Sequence, residues 1–226
     1  MYESWPAPLC DGGTSEEMAY IAKGSGPSRL LILAPLFDEA NKLRRLLVGI
    51  AQQLSEVHIA SVIPDLAGWN ESLAARGNQT LSGWQHAAQA AAVHFNATHV
   101  LAVRTSSILA PRSLPGWVYA PAAPSRTLRT MARAQSLSEN EAGSARNASE
   151  IVEAAARSGG LMAGWDLGAG MVRELREATD ATSATHEEIT HSQVGGSPPW
   201  LQSETSDSTR QAAAIAAIIA SELAAK

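Results

Sequence analysis

The chain carries one cysteine, Cys10, among its 226 residues. A single thiol excludes an intrachain disulfide and a thiolate metal cluster. Aromatic residues are also scarce, with two Phe and three Tyr against six Trp, so the core has to be mostly aliphatic. There is no Lys/Arg-rich run. The 17 basic residues are scattered among 22 acidic ones, for a net charge of −5. A nucleic-acid groove needs concentrated positive charge, so that class of partner is not expected. No stretch has the uninterrupted apolar length of a membrane span, and the alanine-rich C-terminal segment is broken by Ser221 and Glu222. The opening MYESWPAPLCDGG lacks the basic start and apolar centre of a secretion signal, which leads us to expect a cytoplasmic location. The six histidines form no H-x-x-x-H or H-E-x-x-H pair with a suitable flank, so no metal is expected. No G-x-G-x-x-G or P-loop is present, and no cofactor is expected.

What is present is ordinary globular composition, 45% hydrophobic and 17% charged. It predicts one α/β domain over residues 1–226. Residues 29–34, RLLILA, are a short apolar run ended by Pro35 and read as a buried strand. Leu43, Leu46, Leu47, Ile50 and Leu54 recur at helical spacing and make one apolar face. VHIASVI (57–63) is a second strand. Thr80 is placed to cap a helix carrying Leu81, Trp84, Ala88, Ala91 and Phe95. THVLAV (98–103) is a third strand. This alternation with short connections predicts a mainly parallel sheet, flanked by helices, with the three strands as neighbours. WVYAPAAP (117–124), EEITHSQV (187–194) and PWLQSE (199–204) bring the expected count to about six. Strand signal fades over 122–180, which reads as a helical insertion or lid, with a polar loop at 136–149. A final helix carries Ile215, Ile218, Ile219 and Leu223 on one face and ends near Lys226.

Ligands of open parallel sheets bind beyond the carboxyl ends of the strands. The third strand end is the most informative. VLAVRTSSILAP reads as strand, tight turn and helix start, the setting of a G-x-S-x-G nucleophile elbow. The preferred register puts the small residues Ala102 and Ser106 at the crowded glycine positions and Arg104 at the nucleophile. A shift by two residues puts Ser106 at the nucleophile, with bulky Arg104 and Ile108 in the tight places. Arginine stays protonated and cannot perform acyl transfer. It can pair with a carboxylate or bind an anion, and an ion pair is the first expectation. Leu36 and Phe37 stand where this fold places backbone N–H groups of an oxyanion hole. Asp38, Glu39, Lys42, Arg44 and Arg45 also suit a solvated helix start, where acidic groups favour the macrodipole. Asp65 is expected to hydrogen-bond local backbone. His191 lies late enough to serve as the base in a Ser…Asp/Glu…His order, with Asp166 and Asp180 as the nearest acids in the chain.

The stretches APLFDEANKLRR (34–45), PDLAGWNESLA (64–74) and LAVRTSSILA (101–110) resemble the exosortase-associated hydrolases of type two, bacterial members of the α/β-hydrolase superfamily. In that resemblance Arg104 matches the arginine of a G-x-R-x-G elbow, and Glu39, Asn41, Lys42 and Arg45 match the loop after the first strand. GSPPWLQ (196–202) is similar to a late Gly-Pro-rich segment with an aromatic residue and a glutamine. The chain departs where Ala102 and Ser106 replace the elbow glycines and at Trp69-Asn70. The resemblance implies an α/β-hydrolase-like fold and a place beside exopolysaccharide and protein-sorting systems.

Two functional readings follow. One is a non-classical or inactive hydrolase relative acting through binding, with a small-molecule or anionic ligand and a protein partner in surface assembly. The other is a serine esterase or acyl hydrolase acting on ester bonds through Ser106 or Ser107, with His191 as base. A structural partner without a ligand pocket is a third, lesser reading.

Overall fold

The computed structural model describes residues 1–144, 146–178, 185–202 and 208–225. The N-terminal hairpin pairs β1 (Tyr2–Pro8) with β2 (Thr14–Ala22), antiparallel. Then come β3 (Arg29–Leu33), α1 (Asp38–Glu56), β4 (Ala60–Pro64), α2 (Leu81–His94), β5 (His99–Val103) and β6 (Gly116–Tyr119). The middle of the chain forms α3 (Pro124–Glu141), α4 (Ala148–Ser158), the small hairpin β7 (Gly160–Met162) and β8 (Trp165–Leu167), and α5 (Ala169–Glu177). Last are β9 (His186–Ile189), the one-turn α6 (His191–Val194) and α7 (Thr209–Ala224).

The main sheet has seven strands among the described residues, in the order β1-β2-β4-β3-β5-β6-β9. From β4 to β9 every neighbouring pair is parallel, and β2 joins β4 antiparallel. The three predicted neighbours are adjacent, with β3 in the middle. Right-handed crossovers then fix the layers. The step from β3 to β4 runs one way along the sheet and the step from β4 to β5 runs back, so α1 and α2 cover opposite faces. α7 packs on α1, while α2 packs on β1, β3 and α5. Because the chain changes direction at β3 and β5, the ends of these two strands bound a crevice of the kind where open α/β sheets bind ligands.

The sheet differs from the expected six strands in two places. β1 and β2 add an antiparallel edge that the apolar pattern does not signal. In β2 the inward positions are Glu17 and Ala19, while Met18 is 39% exposed on the outer face, so the hydrophobic alternation points the wrong way. Pro6 and Pro8 are compatible with β1 because it is an edge strand. Conversely, Pro199–Leu201 is a 3-10 turn, not the strand expected over 199–204; residues 203 and 204 lie outside those described. Consecutive Pro198 and Pro199 remove two donors that a strand ladder would need. The strand expected over 187–194 stops at Ile189, where Thr190 caps α6 by exchanging bonds with Gln193. β6 ends at Tyr119, before Ala120 at φ 44, and α3 begins at Pro124, a residue suited to a first helical turn. The expected loop at 136–149 is shorter than read, because α3 continues to Glu141 and Glu139 pairs with Arg146.

The aliphatic core expected from the composition is present around fully buried Leu30, Leu31, Ile32, Leu43, Leu47, Ile50 and Leu101, with Trp5, Trp84 and Trp117 as large fillers. Two of these indoles place their N–H on backbone carbonyls: Trp5 donates to Asp65 at 3.1 Å and Trp84 to Ala67 at 3.0 Å. That satisfies the polar end of a buried ring. Among the described residues no helix is long and apolar enough to cross a membrane.

Candidate functional site

The segment after β5 makes the sharpest turn near the crevice. Val103 is extended at φ −116, and Arg104 follows at φ 59. A positive φ on a long, non-glycine side chain costs roughly 1–3 kcal/mol and survives only where the surroundings over-determine it. The strain falls on Arg104, the position the preferred register gives to the tip of the elbow. The turn then runs into a 3-10 helix, Arg104–Leu109, and no α-helix forms between β5 and β6. Pro111 and Pro115 cannot donate, which stops the turn from growing.

Arg104 is held on three sides. Its Nε and Nη2 donate to Glu39 Oε2 and Oε1, both at 3.2 Å, a two-pronged contact that a planar guanidinium is shaped to make. Its Nη1 donates to the carbonyl of Ala120 at 2.8 Å. Its Cζ lies 4.1 Å from the centre of the Trp200 ring, within the range of a cation–π contact. The Arg104 and Glu39 side chains are 15% and 21% exposed, so water reaches the edge of the pair but not its centre.

Ser106, the nucleophile of the alternative register, is fully buried. Its Oγ accepts from Val103 N at 2.8 Å and lies within hydrogen-bond distance of the carbonyls of Leu33 and Val103. That hydroxyl fastens the turn to β3 and offers no face to a substrate. Ser107 is also buried and lines a different, smaller cavity with Gln85, Gln89 and His186. His191 contacts neither serine: its Nδ1 meets the hydroxyl of Tyr119 at 2.8 Å and its Nε2 the carbonyl of Gly196 at 3.0 Å. Burial pushes the Tyr119 phenol up to about 12, against the opposing pull of the Arg104 charge. The Trp200 ring sits edge-on to His191, with centroids 5.1 Å apart, and also covers Arg104. An indole therefore stands between the histidine and the elbow tip.

The other expected site residues divide into two groups. Leu36, Phe37, Asp38, Glu39 and Lys42 line one cavity with Arg104, Arg126, Thr127, Met131 and Trp200, of about 470 Å³. Asn41 and Arg45 do not join them. One turn apart on α1, they instead line a cleft of about 530 Å³ with Tyr2, Arg44 and the start of α7. Of the two oxyanion-hole candidates, Leu36 has its N–H committed to Thr105 Oγ1 at 2.8 Å. Phe37 sits at φ 59 as the N-cap of α1 and is 3% exposed.

Asp65 is a correction to the expected backbone role. Its carboxylate accepts from Asn70 Nδ2 at 2.6 Å and from Arg44 Nη1 at 3.4 Å. Burial raises its pKa although Arg44 pulls it down. Asp166 lies on β8 beside Gly77, and Asp180 lies outside the described residues. Trp200, Tyr119 and Arg126 were not singled out from the sequence. Trp200 alone had a signal, as the aromatic residue of GSPPWLQ. Among the described residues no group of three or more His, Cys, Asp or Glu is placed to hold a metal ion.

Trp165, on β8, reaches the loop after β3. Trp165 Nε1 donates to Asp38 at 2.9 Å, the Trp165 ring meets Phe37 edge-on at 5.4 Å, and the Arg76 guanidinium lies 4.4 Å over it.

The strand order, the antiparallel N-terminal edge, the mainly parallel sheet with flanking helices and the strained turn after β5 make this an α/β-hydrolase-like fold. No protein-family model matches the chain, and no curated protein matches it. Solved structures do. A thermophilic esterase from Thermogutta terrifontis, with malate bound, is 14% identical, with 84% of this chain and 79% of that one covered and a TM-score of 0.47. Est1E from Butyrivibrio proteoclasticus is 16% identical, with 76% and 69% covered and a TM-score of 0.46. Proline iminopeptidase from Mycobacterium smegmatis is 16% identical, with 62% and 55% covered and a TM-score of 0.42. The matched part spans about half the length of the solved structures that head the comparison.

Proposed function

We propose that this chain is a non-catalytic relative of the α/β-hydrolases, a single domain that binds a small molecule in the cavity at the elbow, with residues 122–180 as its lid. The observation that carries the reading is Arg104 at the strained tip, paired on Glu39 where an acyl-transfer enzyme needs an ionisable hydroxyl or thiol. A guanidinium has no lone pair to offer at any working pH. The resemblance of residues 34–45, 64–74 and 101–110 supports a biological setting as a bacterial accessory protein in exopolysaccharide or surface-polymer assembly, working with a protein partner.

A fluorophosphonate probe tests the reading, because it marks only an activated serine. The expected result is an unlabelled protein that turns over p-nitrophenyl acetate no faster than background. Labelling that disappears in Ser106→Ala or Ser107→Ala would replace this reading with a serine esterase using His191.

A further inference from the structure

The cavity beside the elbow is lined by charges that Arg104 and Glu39 do not balance. Arg104 is saturated on its Glu39 side, and Asp38 accepts from Trp165. Lys42 on α1 and Arg126 on α3 remain, both lining the cavity, and neither makes an ion pair among the described residues. Three cations face two carboxylates, which leaves one positive charge in surplus. The wall supplied by α3 reinforces it. That helix runs for 18 residues and has no acidic residue in its first turn, so its N-terminal dipole is unopposed. Thr127, in the same stretch, adds a hydroxyl. The floor is apolar, made by Leu36, Phe37 and Met131, with Leu201 at the rim still 75% exposed.

We infer that this cavity takes a small organic anion, a single carboxylate or phosphate monoester on a compact apolar body. Lys42 and Arg126 grip the oxyanion and the Leu36–Phe37–Met131 floor receives the body. The inference rests on the binding reading proposed above and assigns its ligand class. A cavity of about 470 Å³ suits a one-ring molecule, not a chain of several. Arg104 positions the clamp and does not grip, because its charge is already met by Glu39.

Titration calorimetry at low salt on the whole chain tests this, with phenyl phosphate, benzoate and neutral benzyl alcohol as probes. At least one anion should bind and benzyl alcohol should not, and the tighter anion identifies the oxyanion. Loss of a charge-assisted contact is worth a factor of about ten or more in affinity, so Lys42→Ala and Arg126→Ala should each weaken binding by about that much. Both side chains are exposed, so these variants should keep the parent's circular dichroism. Arg129→Ala, which lines a separate groove between α3 and α4, should bind as the parent does. Absence of binding by both anions, equal binding of benzyl alcohol, or affinities unchanged in both variants would overturn the clamp. The fluorophosphonate result is scored separately. Labelled protein that still binds phenyl phosphate through Lys42 and Arg126 removes the non-catalytic reading alone, and unlabelled protein that binds neither anion removes this inference alone.

Discussion

Removing the Arg104 side chain should destabilise the fold measurably, and the contacts set the size of the effect. Arg104→Ala deletes the two-pronged bond to Glu39, the bond to the Ala120 carbonyl and the stacking on Trp200. Breaking a fully buried ion pair from one side costs about 3–5 kcal/mol, mainly because the other charge is stranded. Here the two side chains are 15% and 21% exposed, so water can partly solvate the abandoned Glu39. The expectation falls to about 2–4 kcal/mol. For a domain of this size that is a shift in Tm on the order of 10 °C. Arg104→Gly separates the pairing from the strain. It loses the same contacts but relieves a positive φ worth about 1–3 kcal/mol, less about 0.5–1 kcal/mol of glycine's extra unfolded-state freedom. It should therefore melt above Arg104→Ala. Urea melts of Arg104→Ala, Glu39→Ala and the double variant give the coupling energy directly, expected above about 1 kcal/mol. Melts of Arg104→Ala that overlay the parent, or additive effects in the cycle, would refute the argument.

Ser106→Ala tests the turn itself. Without Oγ the buried Val103 N–H loses its acceptor, and the stability loss should be about 1–3 kcal/mol in a urea melt; a neutral variant would show that the hydroxyl does not fasten the turn. Glu17 gives a pH signature. It is 2% exposed, and burial raises its pKa from 4.5 despite the hydrogen bond donated by Ser72. The native state therefore holds its proton more tightly than the unfolded chain does, and stability must fall as pH rises through the window that starts near 4.5. Asp65 shifts the same way from 3.8 and adds to the slope. Glu17→Gln should flatten part of that decline and be more stable than the parent at pH 7; an unchanged slope in melts between pH 4 and 7 would contradict it.

How much could be read from the sequence depended on whether a residue's role was local. The parallel strands, the face of α1 and the Thr80 cap of α2 are encoded in short apolar runs and one hydroxyl, and the structure has each of them. The edge hairpin was invisible because Glu17 and Ala19 point inward while Met18 points outward, an inversion that the hydrogen bonds of Glu17 with Ser72 and Ser15 help to make tolerable. That Arg104 needs a carboxylate from the loop after β3, Asp38 or Glu39, follows from its permanent charge and the convergence of parallel strand ends; the choice of Glu39 between them came from the family resemblance, and Glu39 is the partner seen. Trp200 and Arg126 could not be anticipated. They reach the elbow from 96 and 22 residues downstream, on a 3-10 turn and the first turn of α3, and no local pattern records that approach.

The elbow also explains why these particular groups meet. A strained turn that presents a side chain above a central strand is built to hold a small neutral hydroxyl, which needs little from its surroundings. A guanidinium in the same place needs an anion, an acceptor for its remaining N–H groups and a surface for its planar face, or burial would cost several kcal/mol. Glu39 supplies the first, the carbonyl of Ala120 the second and Trp200 the third. The Ala120 carbonyl is presented by a residue that is itself at positive φ, 44°, just as Arg104 is at the end of β5. Each of the three comes from a different strand connection: after β3, after β6 and after β9. The arginine thus ties together the loops that border the cavity, and a ligand held by Lys42 and Arg126 would be bound to two of those same connections.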